Sequence, residues 1–163
     1  MEGEQEIQKA YESILSHDFE KAIEWFEKAI AAEPDNAAYH HKLSITYARS
    51  NRLQAACEHA ETAVRLVPDY EPYRFHLRTL QARVLVEQAE KEIESDNTQA
   101  IWRLRQAIGL DPLAIEAYLI LGEAYARRHD FAAALQTVQE ALRLEPGHEA
   151  AVQLIKKYEQ KIK

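Results

Sequence analysis

Apolar residues along this chain return at steps of three, four and seven positions, which is the spacing of one face of an α-helix. The pattern runs into four similar phrases, AIAAEP, AVRLVP, AIGLDP and ALRLEP, which end at Pro34, Pro68, Pro112 and Pro146. Successive prolines are 34, 44 and 34 residues apart. Because proline has no N–H to donate, it ends a helix. The spacing therefore predicts a helical repeat with one insertion of ten residues.

Alanine occupies two fixed positions before each of these prolines. Five residues before them stand Ala29, Ala63, Ala107 and Ala141, and twelve residues before them stand Ala22, Ala56, Ala100 and Ala134. The two positions are seven residues apart, so they share one helix face. Small side chains on such a face let two helices approach closely. We predict that these alanines are buried where helices cross.

A second type of helix follows the prolines. Its positions six, nine, ten and thirteen residues after Pro34 and Pro112 are His40, Leu43, Ser44 and Tyr47, and then Tyr118, Leu121, Gly122 and Tyr125. Polar pairs or triplets separate the two helix types at 17–18, 51–52, 95–97 and 129–130. Residues such as Asp and Asn there suit a tight turn and a helix N-cap.

With these features the chain resembles the tetratricopeptide repeat (TPR) family over essentially its whole length, and 34 residues is the known period of that family. The resemblance implies an all-α fold, an α-solenoid of antiparallel helical hairpins in a single domain, 1–163. About four repeats are expected, at 3–36, 37–70, 71–114 with the insertion, and 115–148, followed by a capping helix at 148–163. The first repeat departs from the pattern, because Ser13 replaces the tyrosine and only Ala10 keeps the small position.

The insertion predicts one long helix from Glu71 to about Glu94, since Pro72 lies in its first turn and no glycine follows. Its apolar residues form two stripes on opposite sides: Tyr73, Leu77, Leu80 and Val84, and then Ala82, Val86, Ala89 and Ile93. We interpret the array as two blocks that share this helix, with the sides exchanged near Val84. The alternative is a helix kinked or broken near Gln81.

In TPR proteins the leading helix of each hairpin lines a concave groove that receives a peptide, and the resemblance implies the same here. Carried over position by position, the groove comprises Ile7, Tyr11, Ile14, His41, Ile45, Arg49, Phe75, Thr79, Arg83, Leu119, Glu123 and Arg127. Its three arginines suit carboxylates of a ligand. Alternatively, Arg49 and Arg127 complement helix dipoles in the last turns of their helices.

The composition of the chain argues against some classes of binding partner. The chain has 27 Asp and Glu against 20 Lys and Arg, a net charge of -7, which disfavours nucleic acid and with it the RNA-binding pentatricopeptide family. No apolar run approaches the ~18 residues of a membrane span. Cys57 is the single cysteine and cannot form an internal disulfide, and the N-terminal residues show no signal pattern, so we expect a cytoplasmic protein.

No catalytic motif stands out, so we expect no enzymatic activity and no cofactor. The seven histidines do not suggest a metal site, because His40 falls on a packing position while His17 and His129 fall in turns. The leading hypothesis is an adaptor that binds another protein or peptide in the groove. The alternative is a homo-oligomeric scaffold, a homodimer in the simplest case, that uses the long helix or the groove for self-association.

Overall fold

The computed structural model describes residues 2–163, and this part of the chain consists of nine helices joined by short turns. The helices are α1 (Glu4–Leu15), α2 (Phe19–Ala32), α3 (Ala37–Arg49), α4 (Leu53–Leu66), α5 (Glu71–Glu92), α6 (Asn97–Leu110), α7 (Ile115–Arg127), α8 (Phe131–Leu144) and α9 (Glu149–Ile162). No strand occurs among the described residues. The all-α prediction is confirmed.

The chain divides into two compact units within α5, one ending at Leu80 and the other running from Gln81 to Lys163. In unit 1, α2 packs against α1 and α3, and α3 packs against α4. In unit 2, α7 packs against α6 and α8, and α8 packs against α9. The division agrees with the interpretation of two blocks that share a helix. That helix runs unbroken through Gln81 and ends at Glu92, slightly before the predicted Glu94.

All eight alanines of the two predicted positions are fully buried. They lie in pairs on the second helix of each hairpin: Ala22 and Ala29 on α2, Ala56 and Ala63 on α4, Ala100 and Ala107 on α6, and Ala134 and Ala141 on α8. Because an alanine side chain is one methyl group, a neighbouring helix can approach closely at each of these points. The prediction that alanine marks the helix crossings is confirmed.

The repeated prolines end these helices as predicted. Each of α2, α4, α6 and α8 stops two residues before its proline. The residue before proline is the C-cap in every case, with ψ of 78° at Glu33, 78° at Val67, 90° at Asp111 and 89° at Glu145. The proline ring disfavours helical ψ at the preceding residue. Steric restriction by proline therefore sets the same stop in all four hairpins.

Polar residues form the turn inside three of the hairpins. His17, Asn51 and His129 adopt left-handed backbone, with φ of 58°, 58° and 60°. Histidine and asparagine are among the residues that tolerate this region best. Asp18, Asp96 and Asp130 then accept a hydrogen bond from a backbone N–H of the first helical turn. Arg52 takes the same place before α4 without a side-chain cap, so the predicted cap is absent there.

The second stripe of α5 lies in the core of unit 2. Ala82, Val86, Ala89 and Ile93 are buried together with residues of α6 and α7. Of the first stripe, Leu80 is buried, whereas Tyr73, Leu77 and Val84 are half-buried. At the other end of unit 2, α9 places Ala151 and Tyr158 against the buried face of α8. This packing matches the predicted capping helix.

Candidate protein-binding surface

The leading helices of unit 1 are α1, α3 and the first half of α5, and side-chain contacts join them in that order. The Lys42 ammonium on α3 lies 5.5 Å from the centre of the Tyr11 ring on α1. The His41 ring lies 4.8 Å from the Tyr73 ring and 4.9 Å from the His76 ring, both on α5. The predicted groove residues of unit 1 therefore belong to three helices whose side chains adjoin.

Three large apolar side chains on these helices remain exposed to solvent: Tyr11 at 43%, Leu15 at 81% and Phe75 at 53%. The Tyr11 ring makes a perpendicular contact with buried Phe26, with ring centres 6.1 Å apart. Isolated exposed apolar residues are common on proteins, but several on adjoining helices are typical of an interaction surface. These three side chains therefore form the exposed apolar part of the leading helices of unit 1.

Other predicted groove residues of unit 1 are less accessible. Ile7 is buried in the core, while Ile14, His41, Ile45 and Thr79 are half-buried. Burial lowers the pKa of His41 below its usual value, and the positive charge of nearby Lys42 lowers it further. His41 is therefore favoured in its neutral form. A partner on this side would meet Tyr11, Leu15 and Phe75 first.

Helix α3 carries two cations, Lys42 and Arg49, and Lys42 lies over the exposed ring of Tyr11. No carboxylate of the described chain lies within ion-pair distance of Lys42 or Arg49. By contrast, Arg74 and Arg78 both bind Glu71, at 2.6 Å and 2.7 Å. Arg49 lies in the last turn of α3, where its positive charge interacts favourably with the helix dipole. Together, Tyr11, Leu15, Lys42, Arg49 and Phe75 are called the unit 1 face below.

The predicted groove residues of unit 2 have a different character. Leu119 is half-buried against the core formed by α8 and α9. Arg127 binds the carboxylate of Glu123 at 3.1 Å and lies 3.6 Å from that of Glu94. Arg83 is exposed on the second half of α5. The charge of Arg127 is thus neutralised by carboxylates of the same unit. Binding of ligand carboxylates by the three arginines stays a prediction.

Acidic side chains gather between α5 and α7 in unit 2. Partial burial raises the pKa of Glu90, and the carboxylates of Glu116, Glu87 and Glu123 raise it further. Like charges within a few ångströms oppose ionisation of each other. The leading helices of unit 2 therefore present an acidic surface, whereas those of unit 1 present aromatic and cationic groups.

The sequence patterns missed two members of the unit 1 face. Leu15 is the most exposed large apolar residue of the described chain, and it lies one 34-residue period before Arg49, a predicted groove residue. Lys42 lies directly after His41, and its cationic contact with Tyr11 needs the fold to be visible. Counting the period back from Arg49 would have found Leu15.

The family assignment rests on sequence as well as on this geometry. The profile of the tetratricopeptide repeat family matches residues 16–71 and 94–149, more than half of the chain. The chain therefore belongs to the tetratricopeptide repeat family. Proteins with this fold generally mediate interactions between proteins, as non-catalytic scaffolds or adaptors. No curated protein matches the chain closely enough to count as a relative.

Solved structures share the fold. A crystal structure of MamA protein is 21% identical with a TM-score of 0.58, covering 98% of this chain and 82% of that one. Residues 41 to the end of MamA from Desulfovibrio magneticus RS-1 are 13% identical with a TM-score of 0.59, covering 99% and 91%. A tetratricopeptide repeat protein from Parabacteroides merdae ATCC 43184 is 18% identical with a TM-score of 0.58, covering 99% and 60%. At these identities the similarity concerns the fold alone.

Two further observations bear on partner classes. Within residues 2–163, no helix is both long and apolar enough to cross a bilayer. Across the same residues, His, Cys, Asp and Glu side chains form no group of three or more that could hold a metal ion.

Proposed function

We propose that this protein is a non-catalytic interaction module whose unit 1 face binds a helical or extended segment of another protein. The observation that carries the proposal is the exposure of Tyr11 and Leu15 on α1 and of Phe75 on α5, the leading helices on either side of α3. A segment with apolar side chains at helical spacing could cover them and remove their surface from water. Fully burying one large apolar side chain contributes about 1.5–3 kcal/mol.

Charge indicates the chemistry of the partner. Lys42 lies over the ring of Tyr11, Arg49 lies on the same helix, and neither forms an ion pair with a carboxylate of the described chain. A segment that carries Asp or Glu beside its apolar anchors would supply those partners, which favours correct orientation and faster association. The expected partner segment is therefore amphipathic and acidic.

Selection of displayed random peptides against the full chain tests the proposal. We expect enrichment of peptides that combine aromatic or aliphatic anchors with acidic residues. The combined Tyr11→Ala and Phe75→Ala substitutions should weaken a selected peptide at least about tenfold, because truncating a buried anchor costs more than about 1 kcal/mol. Lys42→Glu should weaken acidic peptides and reduce the salt dependence of their binding.

Trp102→Ala is the matched control, because Trp102 is 53% exposed, as Phe75 is, and lies in unit 2. Its affinity for the selected peptides should equal that of the wild type. Circular dichroism and thermal unfolding of each variant separate loss of binding from loss of fold. Peptides that bind the Tyr11 and Phe75 variant as tightly as the wild type would show that the unit 1 face is not the binding surface.

Self-association is the second candidate function, and exposed apolar residues of unit 2 favour it. Trp102 on α6 and Leu113 in the turn after α6 are 53% and 67% exposed. Tryptophan is enriched among the residues that dominate protein interfaces. Light scattering over a range of concentrations distinguishes the two functions. A dimer that dissociates on Trp102→Ala would support self-association, and a strict monomer would exclude it.

A further inference from the structure

Two histidines of unit 1 contact each other between α3 and α4. The Nδ1 atoms of His40 and His59 are 3.1 Å apart, and the two rings are nearly parallel, with centres 5.3 Å apart. The other ring nitrogen of His40, Nε2, lies 2.8 Å from the carbonyl oxygen of Pro34. His40 is buried, so both contacts of its ring are internal to the protein.

The carbonyl of Pro34 determines where the protons of the pair lie. A carbonyl oxygen only accepts hydrogen bonds, so Nε2 of His40 must carry the hydrogen. In a neutral His40, Nδ1 is then the acceptor, and Nδ1 of His59 must donate to it. The pair therefore has one defined arrangement of hydrogens when both rings are neutral.

The contact between His40 and His59 limits the number of protons that the two rings can carry. One added proton fits, because His59 can take it on Nε2 while its Nδ1 still donates to His40. A second proton would place an N–H on each Nδ1, so two donors and two positive charges would face each other at 3.1 Å. The contact is thus compatible with no more than one added proton.

Side chains of α2, α3 and α4 surround the pair. From α3, the Tyr47 ring stacks on His59 at 5.7 Å and donates its hydroxyl to Glu27 of α2 at 2.8 Å. Burial and then His40 lower the pKa of His59, while Glu27 of α2 and Glu58 of α4 act in the opposite direction. The net effect disfavours protonation of His59 despite two nearby carboxylates.

The histidine of α5 does not share this sensitivity. Ser44 donates its hydroxyl to the carbonyl oxygen of Ala56 at 2.6 Å, so its oxygen must accept from Nε2 of His76, 2.8 Å away. Neutral and protonated His76 can both donate in this way. The hydrogen bond between His76 and Ser44 therefore does not restrict the charge of the ring, unlike the contact between His40 and His59.

Unit 2 makes the equivalent contact without a titrating pair. Counted from the prolines, His40 corresponds to Tyr118 and His59 corresponds to Thr137. The Tyr118 hydroxyl donates to the carbonyl oxygen of Pro112 at 2.9 Å, as His40 Nε2 does to Pro34. Thr137 bonds to Ala133 of its own helix instead of to Tyr118. The same hairpin thus exists once with a histidine pair and once without one.

We propose that the contact between His40 and His59 is a pH-sensitive latch of unit 1, which holds α3 against α4 until both rings become protonated. In the unfolded chain the two histidines titrate independently near pH 6.5. Below that pH the unfolded state binds more protons than the latched state, so stability is lost as pH falls. The inference does not depend on the proposed binding function, because it concerns the stability of the full chain without a partner.

Denaturant unfolding at pH 7.0 and pH 5.5 tests the latch. The test variant combines His40→Tyr with His59→Thr, the residues that unit 2 uses at the same positions. Between the two pH values, the unfolding equilibrium constant of the wild type should rise at least about eightfold more than that of the variant, because the unfolded chain protonates a histidine that the latched pair cannot. His59→Gln is a conservative second variant, because its amide does not titrate and can donate to neutral His40 through its NH2 group or accept from protonated His40 through its carbonyl oxygen. It should show the same reduced pH dependence.

Nuclear magnetic resonance of the wild-type histidine rings gives a readout that needs no variant. At pH 7.5, we expect the hydrogen on Nε2 of His40 and on Nδ1 of His59. On acidification, the folded protein should take up only one proton on the pair. Independent titration of both rings near pH 6.5 in the folded state, or equal pH dependence of wild type and variants, would overturn the proposal.

Discussion

The hairpins 37–70 and 115–148 pack their two helices together with opposite arrangements of a larger and a smaller side chain. In the first, Ser44 on α3 stands where the second has Gly122 on α7, and Ala60 on α4 stands where the second has Val138 on α8. All four residues are buried. The larger residue is on the leading helix in one hairpin and on the second helix in the other. The fold therefore requires a fitting pair at this crossing rather than a particular residue.

The two hairpins also differ in the polarity of their interior. Ser44 connects α4 to His76 of α5 through two hydrogen bonds, and His40 connects α3 to the histidine of α4. At the corresponding places unit 2 has Gly122, Leu154 and Tyr118. A polar interior of this kind stabilises the fold only while every donor and acceptor is matched. Under the proposed latch, unit 1 is consequently the unit whose stability depends on the protonation of a histidine pair.

The largest expected effect tests whether the two hairpins are energetically separate. Leu43 and Leu121 occupy the same position, and both are buried. Replacing either by alanine should lower the free energy of unfolding by about 2–5 kcal/mol. Because the chain divides inside α5, Leu43→Ala should reduce amide-exchange protection more in 37–66 than in 115–144, and Leu121→Ala should do the reverse. Equal loss of protection throughout would show that the chain unfolds as one unit.

Exchanging the packing pair is the next test. A Cβ atom at Gly122 would lie 2.6 Å from Cγ2 of Val138 and 3.4 Å from the carbonyl oxygen of Ala134. Valine in a helix has one strongly preferred rotamer, so Val138 cannot turn aside cheaply. Gly122→Ala should therefore destabilise by about 1–3 kcal/mol, although alanine favours helices more than glycine does. Thermal and denaturant unfolding measure the loss.

Adding Val138→Ala should restore part of that loss, since it recreates the small partner that Ala60 provides to Ser44. The loss of the double variant should then be smaller than the sum of the two single losses, because the residues are in contact. Additive losses would mean that the helices shift to admit the extra methyl group. In unit 1, Ala60→Val beside Ser44 is the mirrored change and should also destabilise.

Much of this fold follows from the sequence, because its signals are local and repeated. Proline sets the helix ends by restricting the preceding residue, and the buried alanines are the side chains that a close crossing requires. Both effects act within a few residues, so the spacing of Pro34 and Pro68 already fixes a complete helical hairpin. The division inside α5 followed from the change of apolar side near Val84.

The binding surface was less predictable, because exposure and charge matching depend on contacts between helices. Ile7 lies at a position that lines the groove in the repeat pattern, but its side chain is buried in the core. Arg127 forms ion pairs with Glu123 and Glu94. The histidine contacts were also not visible in the sequence. His40 was expected at a packing position, yet its partner His59 lies on the next helix, on a position that the repeated pattern leaves open.

The smallest expected effect concerns the turn that begins the second helix of each hairpin. Asp130, the N-cap of α8, accepts a hydrogen bond from the N–H of Ala133 at 3.1 Å. The corresponding residue before α4 is Arg52, which instead forms an exposed ion pair with Glu20. Asp130→Ala should lower the free energy of unfolding by about 1 kcal/mol, because it leaves a helix N–H unsatisfied.

Arg52→Ala should lower it by less, about 0–1 kcal/mol at low salt, since an exposed ion pair is weakened by solvent and by ions. Raising the salt concentration distinguishes the two contributions. The effect of Arg52→Ala should shrink with salt, whereas that of Asp130→Ala should largely persist, because a hydrogen-bonded cap depends on geometry more than on long-range charge. A salt-independent loss at Arg52 would mean that its aliphatic stem, rather than its charge, stabilises the start of α4.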